Sequence, residues 1–202
     1  MRNTYRIVQS DSIGEVYKIN GSRFTPYIFY VTSEEEIKGA LLQVKEAHPK
    51  ARHCCYAWRL GKEVYSIRAN DDGEPTNSAG QPILGQIESF DVTNVLIVVV
   101  RYSNGTKLGV GGLKSSYKES ALIGLSQATI LEKTIDIDLK LKFNYDQLNT
   151  VMRIIKDFDL SIVSQKQEMY CEYILAVPKE KIEELQHVLD QKHQINFVLV
   201  KS

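Results

Sequence analysis

The sequence predicts an α+β protein with two domains, an α/β domain over 1–131 and a smaller domain over 132–202. Three observations lead to this prediction. The chain has 202 residues, more than the roughly 150 residues that one domain commonly takes. Strict alternation of apolar and polar residues begins at 134, and the composition changes near 131. Two separate hydrophobic cores are therefore expected.

The first domain should begin with strands and one amphipathic helix. Strands are expected near 13–19, 24–31, 52–59 and 63–69. Asn20-Gly21 is typical of a two-residue hairpin turn, so the first two strands should pair. A helix is expected over 33–48, with Ser33 as its cap, Glu36 at the capping-box position and Pro49 beyond its end.

The second half of this domain contains its most buried element. Asn94–Tyr102 is apolar on both faces, which indicates a central strand that is covered on both sides. A helix is expected over 112–127, where apolar residues recur at helical spacing from Leu113 to Leu125. The residues at 130–135 are expected to form only a short boundary between the two domains.

The second domain should have the order βαββαβ. Residues 134–143 alternate strictly and predict a half-buried strand. A helix follows around Leu148–Ile155, and strands are expected at Leu160–Val163 and Tyr170–Val177. Pro178 suits the first turn of a second helix, and Ile195–Val200 predicts a last strand. This order is that of the ferredoxin-like fold, which serves many functions.

Composition excludes several classes of protein. Lys+Arg and Asp+Glu are 25 each, so no overall charge attracts nucleic acid or anionic membrane, and any RNA binding requires a local patch. The apolar run Val95–Val100 is far shorter than the roughly 20 residues of a membrane span. Three cysteines and an amino terminus without an apolar signal core favour the cytoplasm, and no membrane partner is expected.

The segment 71–117 contains the residues most suited to binding or chemistry. Glycines at 105, 109, 111 and 112 are expected to form a loop between the central strand and the following helix. Such a loop can present backbone N–H groups and a helix amino terminus to an anion, with charge from Arg101, Lys107 and Lys114. The spacing matches neither common nucleotide-binding fingerprint. The alternative is that the glycines only permit tight packing and positive φ.

The same segment resembles the signature of the IMPACT family, whose bacterial members are YigZ-type proteins. The resemblance is carried by Asp71–Pro75, by Ala79–Leu84, by Asn94–Tyr102 and by Lys107–Leu113 with Tyr117. Gly21–Phe24 and the spacing of His53, Cys55 and Ala57 also match the family pattern. The match is strong over about 20–125, whereas the tail agrees only at the level of pattern.

The resemblance implies the fold of each domain and a role in translation. The first domain should resemble the left-handed βαβ fold of a ribosomal-protein domain, and the second the last domain of elongation factor G. Eukaryotic relatives regulate translation by competing for an activator of the kinase that senses amino-acid starvation. For bacterial relatives, association with RNA or the ribosome is the usual suggestion. The implied partners are therefore RNA, the ribosome or a translation-associated protein.

Two classes of function remain open, and binding is favoured. As a binding module, the protein would contact phosphates through Arg23, Arg101, Lys107 and Lys114, with Gly109, Gly111 and Gly112 presenting N–H groups. Phe24 or Tyr102 would be available for stacking on bases.

As an enzyme, the protein would act on a phosphorylated small molecule. His53, Cys55, Asp72 and Glu74 would then share one cleft with the glycines. The carboxylates of Asp71, Asp72 and Glu74 could also hold a divalent cation, although the simpler explanation is a capped turn. No metal site and no cofactor are predicted.

Overall fold

A computed structural model describes residues 2–200 of the chain. These residues divide into two compact units, one of 5–133 and one of 134–200 together with 2–4. The amino-terminal residues join the second unit through a backbone hydrogen bond of 2.8 Å from the Ile135 N–H to the Asn3 carbonyl. Within 2–200, no helix has both the length and the apolar character of a membrane span.

The larger unit contains eight strands and three helices. The strands are β1 (Thr4–Val8), β2 (Ser12–Ile13), β3 (Tyr17–Ile19), β4 (Ser22–Tyr30), β5 (His53–Leu60), β6 (Ser66–Asn70), β7 (Val95–Ser103) and β8 (Ile130–Thr134). The helices are α1 (Glu34–Ala47), α2 (Gly80–Ser89) and α3 (Gly109–Gln127). The main sheet is antiparallel with the order β2-β4-β7-β5-β6, β3 also pairs with β4, and β1 pairs with β8.

Strand β7 is the centre of this sheet, and its residues from Val95 to Arg101 are all buried. Alternate residues of the strand serve two different cores. Leu96 and Val98 pack with residues of α1, whereas Ile97 and Val99 pack with residues of α2 and α3. The prediction of a central strand covered on both faces is therefore confirmed.

The predicted hairpin turn and the predicted helix cap are also confirmed. Asn20 and Gly21 have φ of 45° and 74°, which joins β3 to β4 by a two-residue turn with both central residues at positive φ. The Ser33 hydroxyl accepts a hydrogen bond of 3.2 Å from the Glu36 N–H at the start of α1. The Glu36 carboxylate, however, bonds to the Thr32 N–H rather than to that of Ser33, so the reciprocal half of the capping box is shifted by one residue.

Three features of the larger unit differ from the sequence predictions. Helix α2 was not predicted, and β8 is a paired strand where only a boundary was expected. Helix α3 begins at Gly109 rather than 112, so Gly109, Gly111 and Gly112 form its first turn and not a loop. Burial of the apolar side of α3 from Leu113 to Leu125 outweighs the poor helix propensity of glycine.

The smaller unit has the predicted order βαββαβ. Its elements are β9 (Asp136–Phe143), α4 (Leu148–Asp157), β10 (Ser161–Gln167), β11 (Cys171–Pro178), α5 (Ile182–Asp190) and β12 (Ile195–Leu199). The antiparallel sheet has the order β10-β11-β9-β12, as in ferredoxin-like domains. Leu139, Leu141 and Phe143 are buried, as the alternation predicted, and the mixed α and β architecture of the chain is confirmed.

Candidate functional site

The side chain of Asp71 caps a helix that begins nine residues later. Its Oδ1 accepts hydrogen bonds from the N–H groups of Ala79 at 3.0 Å and Gly80 at 2.8 Å, at the start of α2. Its Oδ2 accepts a third hydrogen bond from the Asn77 N–H at 2.8 Å. A carboxylate is favourable there because the first N–H groups of a helix have no partners within it. Asp71 therefore has a structural role.

The Asp72 carboxylate is directed toward α1. Its Oδ2 accepts a hydrogen bond of 2.7 Å from the Cys54 N–H, and its Oδ1 lies 3.7 Å from the Lys45 ammonium on that helix. Helix α1 packs on the opposite face of the sheet from α3. The structure therefore does not bring this carboxylate together with the first turn of α3, contrary to the single cleft expected for the enzyme.

The Glu74 carboxylate forms a buried ion pair with Arg101 of β7. The distance from Arg101 Nη1 to Glu74 Oε1 is 2.6 Å, and the two side chains are only 10% and 4% exposed. The Tyr117 hydroxyl of α3 donates a further hydrogen bond of 2.8 Å to the same oxygen. Ion pair and hydrogen bond together join the 71–79 segment to the central strand and to α3.

The three neighbouring carboxylates thus have three separate sets of partners. Asp71 is bonded to α2, Asp72 to β5 and α1, and Glu74 to β7 and α3. Between residues 2 and 200, no three or more His, Cys, Asp or Glu side chains are grouped so that they could hold a metal ion. The alternative of a divalent cation at this segment therefore has no geometric support.

Cys55 is fully buried next to Tyr117, whose hydroxyl also bonds to Glu74. Its thiol donates to the Asp71 carbonyl oxygen at 2.9 Å, and its Sγ lies 3.3 Å from the Tyr117 hydroxyl. Burial is the main cause that raises the pKa of the Cys55 thiol, and nearby carboxylates raise it further. Since the thiolate is the nucleophilic form, Cys55 lacks both the ionisation and the exposure that a nucleophile needs.

We expect none of the three cysteines to react with a thiol reagent in the folded protein. Cys54, Cys55 and Cys171 are all buried, and burial also raises the pKa of Cys54. A colorimetric disulfide reagent at pH 8 should therefore detect less than one thiol per chain before unfolding and all three in guanidinium chloride. Rapid reaction of one thiol in the native protein would contradict this expectation. It would then support the hypothesis that Cys55 is a nucleophile if the modified residue is Cys55.

His53 begins β5 with a defined ring tautomer. Its Nδ1 lies 2.9 Å from the Asp72 carbonyl oxygen, and because a carbonyl can only accept, Nδ1 carries a proton. The strand register places His53 directly opposite Arg101 of β7. The start of β5 and the end of β7 therefore lie at the same end of the sheet.

A cavity of about 470 Å³ lies at this end of the sheet. Among the residues that the sequence analysis singled out, it is lined by His53, Glu74, Arg101, Tyr102, Gly105, Lys107 and Gly109. Arg23, Cys55, Asp72, Gly111, Gly112 and Lys114 do not line it. Lys50 and Arg52 of the α1–β5 loop do, and sequence reasoning did not single them out. The signal that could have found them is the basic run just before β5.

The lining of the cavity has an excess of positive charge. Its only carboxylate, Glu74, is already paired with Arg101. Lys50, Arg52 and Lys107 are exposed and form no ion pair with any residue in the described part of the chain. A buried donor is also unpaired, since the Arg101 Nε has no hydrogen-bond partner in that same part. The arrangement suits an anion.

The amino terminus of α3 lies at the same cavity. Leu108, its cap residue, offers no side-chain hydrogen bond, and no other side chain of residues 2–200 accepts one from the first N–H groups of the helix. Gly109 lines the cavity at φ 69°, and a Cβ built at Gly109 or Gly111 would meet no atom within 4 Å. The glycines therefore leave the approach to these N–H groups open.

Of the two predicted stacking residues, Phe24 is excluded by its burial, and Tyr102 lines the cavity but has its hydroxyl turned toward α1. Phe24 is fully buried, in edge contact with the Tyr117 ring at 5.0 Å, so it cannot stack on a base. Tyr102 points to the α1 side of the sheet, where its hydroxyl lies 3.0 Å from His48 Nδ1. Arg23 contacts the same ring at 6.0 Å rather than the cavity. Because successive side chains of a strand point to opposite faces of the sheet, Tyr102 and Arg101 of β7 face opposite sides.

Comparison with known families decides the relationship of this chain. Residues 20–125 match the family model of the Impact N-terminal domain. The chain belongs to the IMPACT family. An IMPACT family member of Haemophilus influenzae is 31% identical over 188 residues, which cover 90% of this chain and 89% of that protein. The IMPACT family member YigZ of Escherichia coli is 31% identical, and the match covers 88% of each chain.

A solved structure has the same architecture as this IMPACT family chain. It is described as the crystal structure of a hypothetical protein, and it is 28% identical with a TM-score of 0.74. The match covers 100% of both chains. All residues that line the cavity between Lys50 and Leu113 fall inside the region that matches the family model.

Proposed function

We propose that this IMPACT family protein is a binding protein of the translation apparatus that contacts RNA phosphates at the cavity. The observation that carries the proposal is the group of three unpaired cations, Lys50, Arg52 and Lys107, around one concave surface. Lysine and arginine contacts to phosphate supply most of the affinity of RNA-binding proteins that do not read sequence. Membership of the IMPACT family supports the link to translation. The resemblance to this family implies that its eukaryotic members regulate translation.

The local charge explains how a chain with no net charge could bind a polyanion. Lys+Arg and Asp+Glu are equal in number, so long-range attraction is weak. The three cations converge because β5 and β7 are antiparallel neighbours whose start and end meet. Binding should therefore be local, modest in affinity and sensitive to salt.

The enzymatic alternative has less support from the same geometry. Of its four candidates, His53 and Glu74 line the cavity, whereas Cys55 is buried and the Asp72 carboxylate contacts α1. Glu74 is held in an ion pair, so among the described residues the lining offers His53 no free carboxylate. A binding site for phosphate requires only cations and N–H groups, and both line the cavity.

We expect Arg52→Ala combined with Lys107→Ala to weaken binding of single-stranded RNA by about tenfold or more, if each contact is worth about 1 kcal/mol. Loss of two phosphate contacts should also reduce the slope of log K against log salt by about 1.4. Fluorescence anisotropy titrations at several salt concentrations measure both quantities. Both side chains are exposed, so the melting temperature should not change.

Lys118→Ala provides the matched control. Lys118 is an exposed lysine of α3 that does not line the cavity, so its removal should leave affinity and salt slope unchanged. No binding by the wild type at low salt would refute the RNA proposal. Equal loss in the double variant and in the control would show that the charge effect is not specific to the cavity.

A further inference from the structure

The donors around the cavity come from separate parts of the chain and converge on one small volume. Lys50 and Arg52 belong to the α1–β5 loop, Lys107 to the loop after β7, and Gly109 and Val110 to the first turn of α3. Arg101 contributes a side chain that is nine-tenths buried and whose Nε has no partner. A ligand that accepts from several directions at once would satisfy the exposed donors among these groups, with the Arg101 charge beside them.

The charge of the site exceeds what an internal RNA phosphate can neutralise. A phosphodiester carries one negative charge, whereas the lining has three unpaired cations and a helix amino terminus worth about half a charge. A phosphate monoester carries about −1.5 to −2 at neutral pH and has three strong acceptor oxygens. The monoester therefore matches both the charge and the number of donors more closely.

We propose that the cavity binds a phosphate monoester, namely the phosphorylated end of an RNA chain. This inference rests on the proposed function, because it names the part of RNA that the same site takes. The phosphate lies at the first turn of α3, among Arg52, Lys107 and Lys50. The uncapped N–H groups of the helix hold it from one side, as helix amino termini commonly hold phosphate.

The rest of the cavity suits the terminal nucleotide that carries this phosphate. Pro75, Leu108, Val110 and Leu113 form an apolar part of the lining, on which a sugar or base can pack. The volume of about 470 Å³ lies within the range of about 300–1,000 Å³ that is usual for pockets that take small molecules. One nucleotide fits such a space, and the remaining chain leaves toward solvent.

The test compares RNAs that differ only at their ends. Unlabelled single-stranded RNAs of one sequence, with a 5′-phosphate, a 3′-phosphate or hydroxyls at both ends, compete against a labelled RNA in an anisotropy assay. Adenosine monophosphate is a further competitor. We expect one of the two phosphorylated RNAs to compete about tenfold better than the hydroxyl form, which corresponds to about 1.4 kcal/mol.

A pair of variants at one position separates charge from shape. Val110 lines the cavity in the first turn of α3 and is 49% exposed. Val110→Asp puts a negative charge beside the expected phosphate, yet it suits a helix start, so the fold should retain its melting temperature. Both Val110→Asp and the neutral Val110→Asn remove an apolar contact, which lowers the affinity for all three RNAs alike. We expect only Val110→Asp to abolish the preference for the phosphorylated end.

The possible outcomes distinguish this inference from the proposed function. RNA binding that depends on Arg52 and Lys107 but is equal for all three ends would overturn the inference and leave the proposed function in place. No RNA binding at low salt would overturn both. If adenosine monophosphate competes as well as the best RNA, the site takes a small phosphate ester and not an RNA end. If Val110→Asp and Val110→Asn prefer the phosphorylated end equally, the phosphate does not bind beside Val110.

Discussion

Glu74→Gln is expected to destabilise the larger unit by about 3–5 kcal/mol, because it leaves the Arg101 guanidinium buried without its counter-charge. The substitution keeps the size of the side chain and an oxygen that can accept from Tyr117, so charge is the main change. The free energy of unfolding is obtained from urea denaturation followed by circular dichroism and by Trp58 fluorescence. Trp58 is the single tryptophan and lies in the larger unit.

The double variant Glu74→Gln with Arg101→Met is the control for this prediction. Removal of both charges leaves no unpaired ion, and replacement of a buried pair by apolar residues is often nearly neutral. Most of the lost stability should therefore return. If the free energy of unfolding of Glu74→Gln lies within about 1 kcal/mol of that of the wild type, Arg101 reaches water when Glu74 is neutral.

The same substitution should have the opposite effect on anion binding. Without Glu74, the Arg101 charge is no longer cancelled, so the lining gains one positive charge. RNA affinity per folded molecule should therefore rise in Glu74→Gln, measured at a temperature where the variant remains folded. Weaker binding by a folded variant would indicate that the ion pair positions the cavity rather than limiting its charge.

Gly80→Ala is expected to cost about 1–3 kcal/mol, the usual range for an overpacked core. A Cβ at Gly80 would lie 2.5 Å from the Asn70 backbone nitrogen and 2.9 Å from its carbonyl carbon. These atoms belong to the end of β6 and cannot move aside as a flexible side chain would. Displacement of α2 would also disturb the bond from the Gly80 N–H to the Asp71 carboxylate. Urea denaturation measures the change in stability.

Gly85→Ala in the same helix is the matched control. No atom lies within 4 Å of a Cβ built at Gly85, and alanine is the better helix former by about 0.5–1 kcal/mol. The two variants should therefore shift the urea midpoint in opposite directions. Shifts of the same sign would mean that the close approach of Gly80 to β6 is not what requires glycine there.

Several elements were predictable because their signals lie between residues close together in the chain. The alternation of 134–143 requires only that successive side chains of a strand point to opposite faces, and β9 follows it. Asn20-Gly21 is a turn because both residues tolerate positive φ. The continuous apolar run of β7 indicated burial on both faces for the same local reason.

The missed elements depended on partners that are distant in sequence. Helix α2 is short, contains Pro82 in its first turn, and is capped by Asp71 across an intervening turn rather than by its own cap residue. Strand β8 pairs with β1, which lies near the start of the chain. No local sequence pattern shows this pairing. The first turn of α3 is glycine-rich and forms because its following turns are buried.

The sequence by itself determined the family and the order of the main strands and helices, and it singled out seven of the residues that line the cavity. Only the tertiary structure decided which way the Asp71, Asp72 and Glu74 carboxylates point and that Lys50 and Arg52 join Lys107. Neighbouring side chains in a turn leave the backbone in different directions, so Asp71 caps the nearby helix α2, whereas Asp72 and Glu74 find partners far along the chain, as Glu74 does with Arg101 and Tyr117. The cations meet because antiparallel pairing of β5 and β7 brings two loops to one end of the sheet, and strand register is a property of the folded sheet.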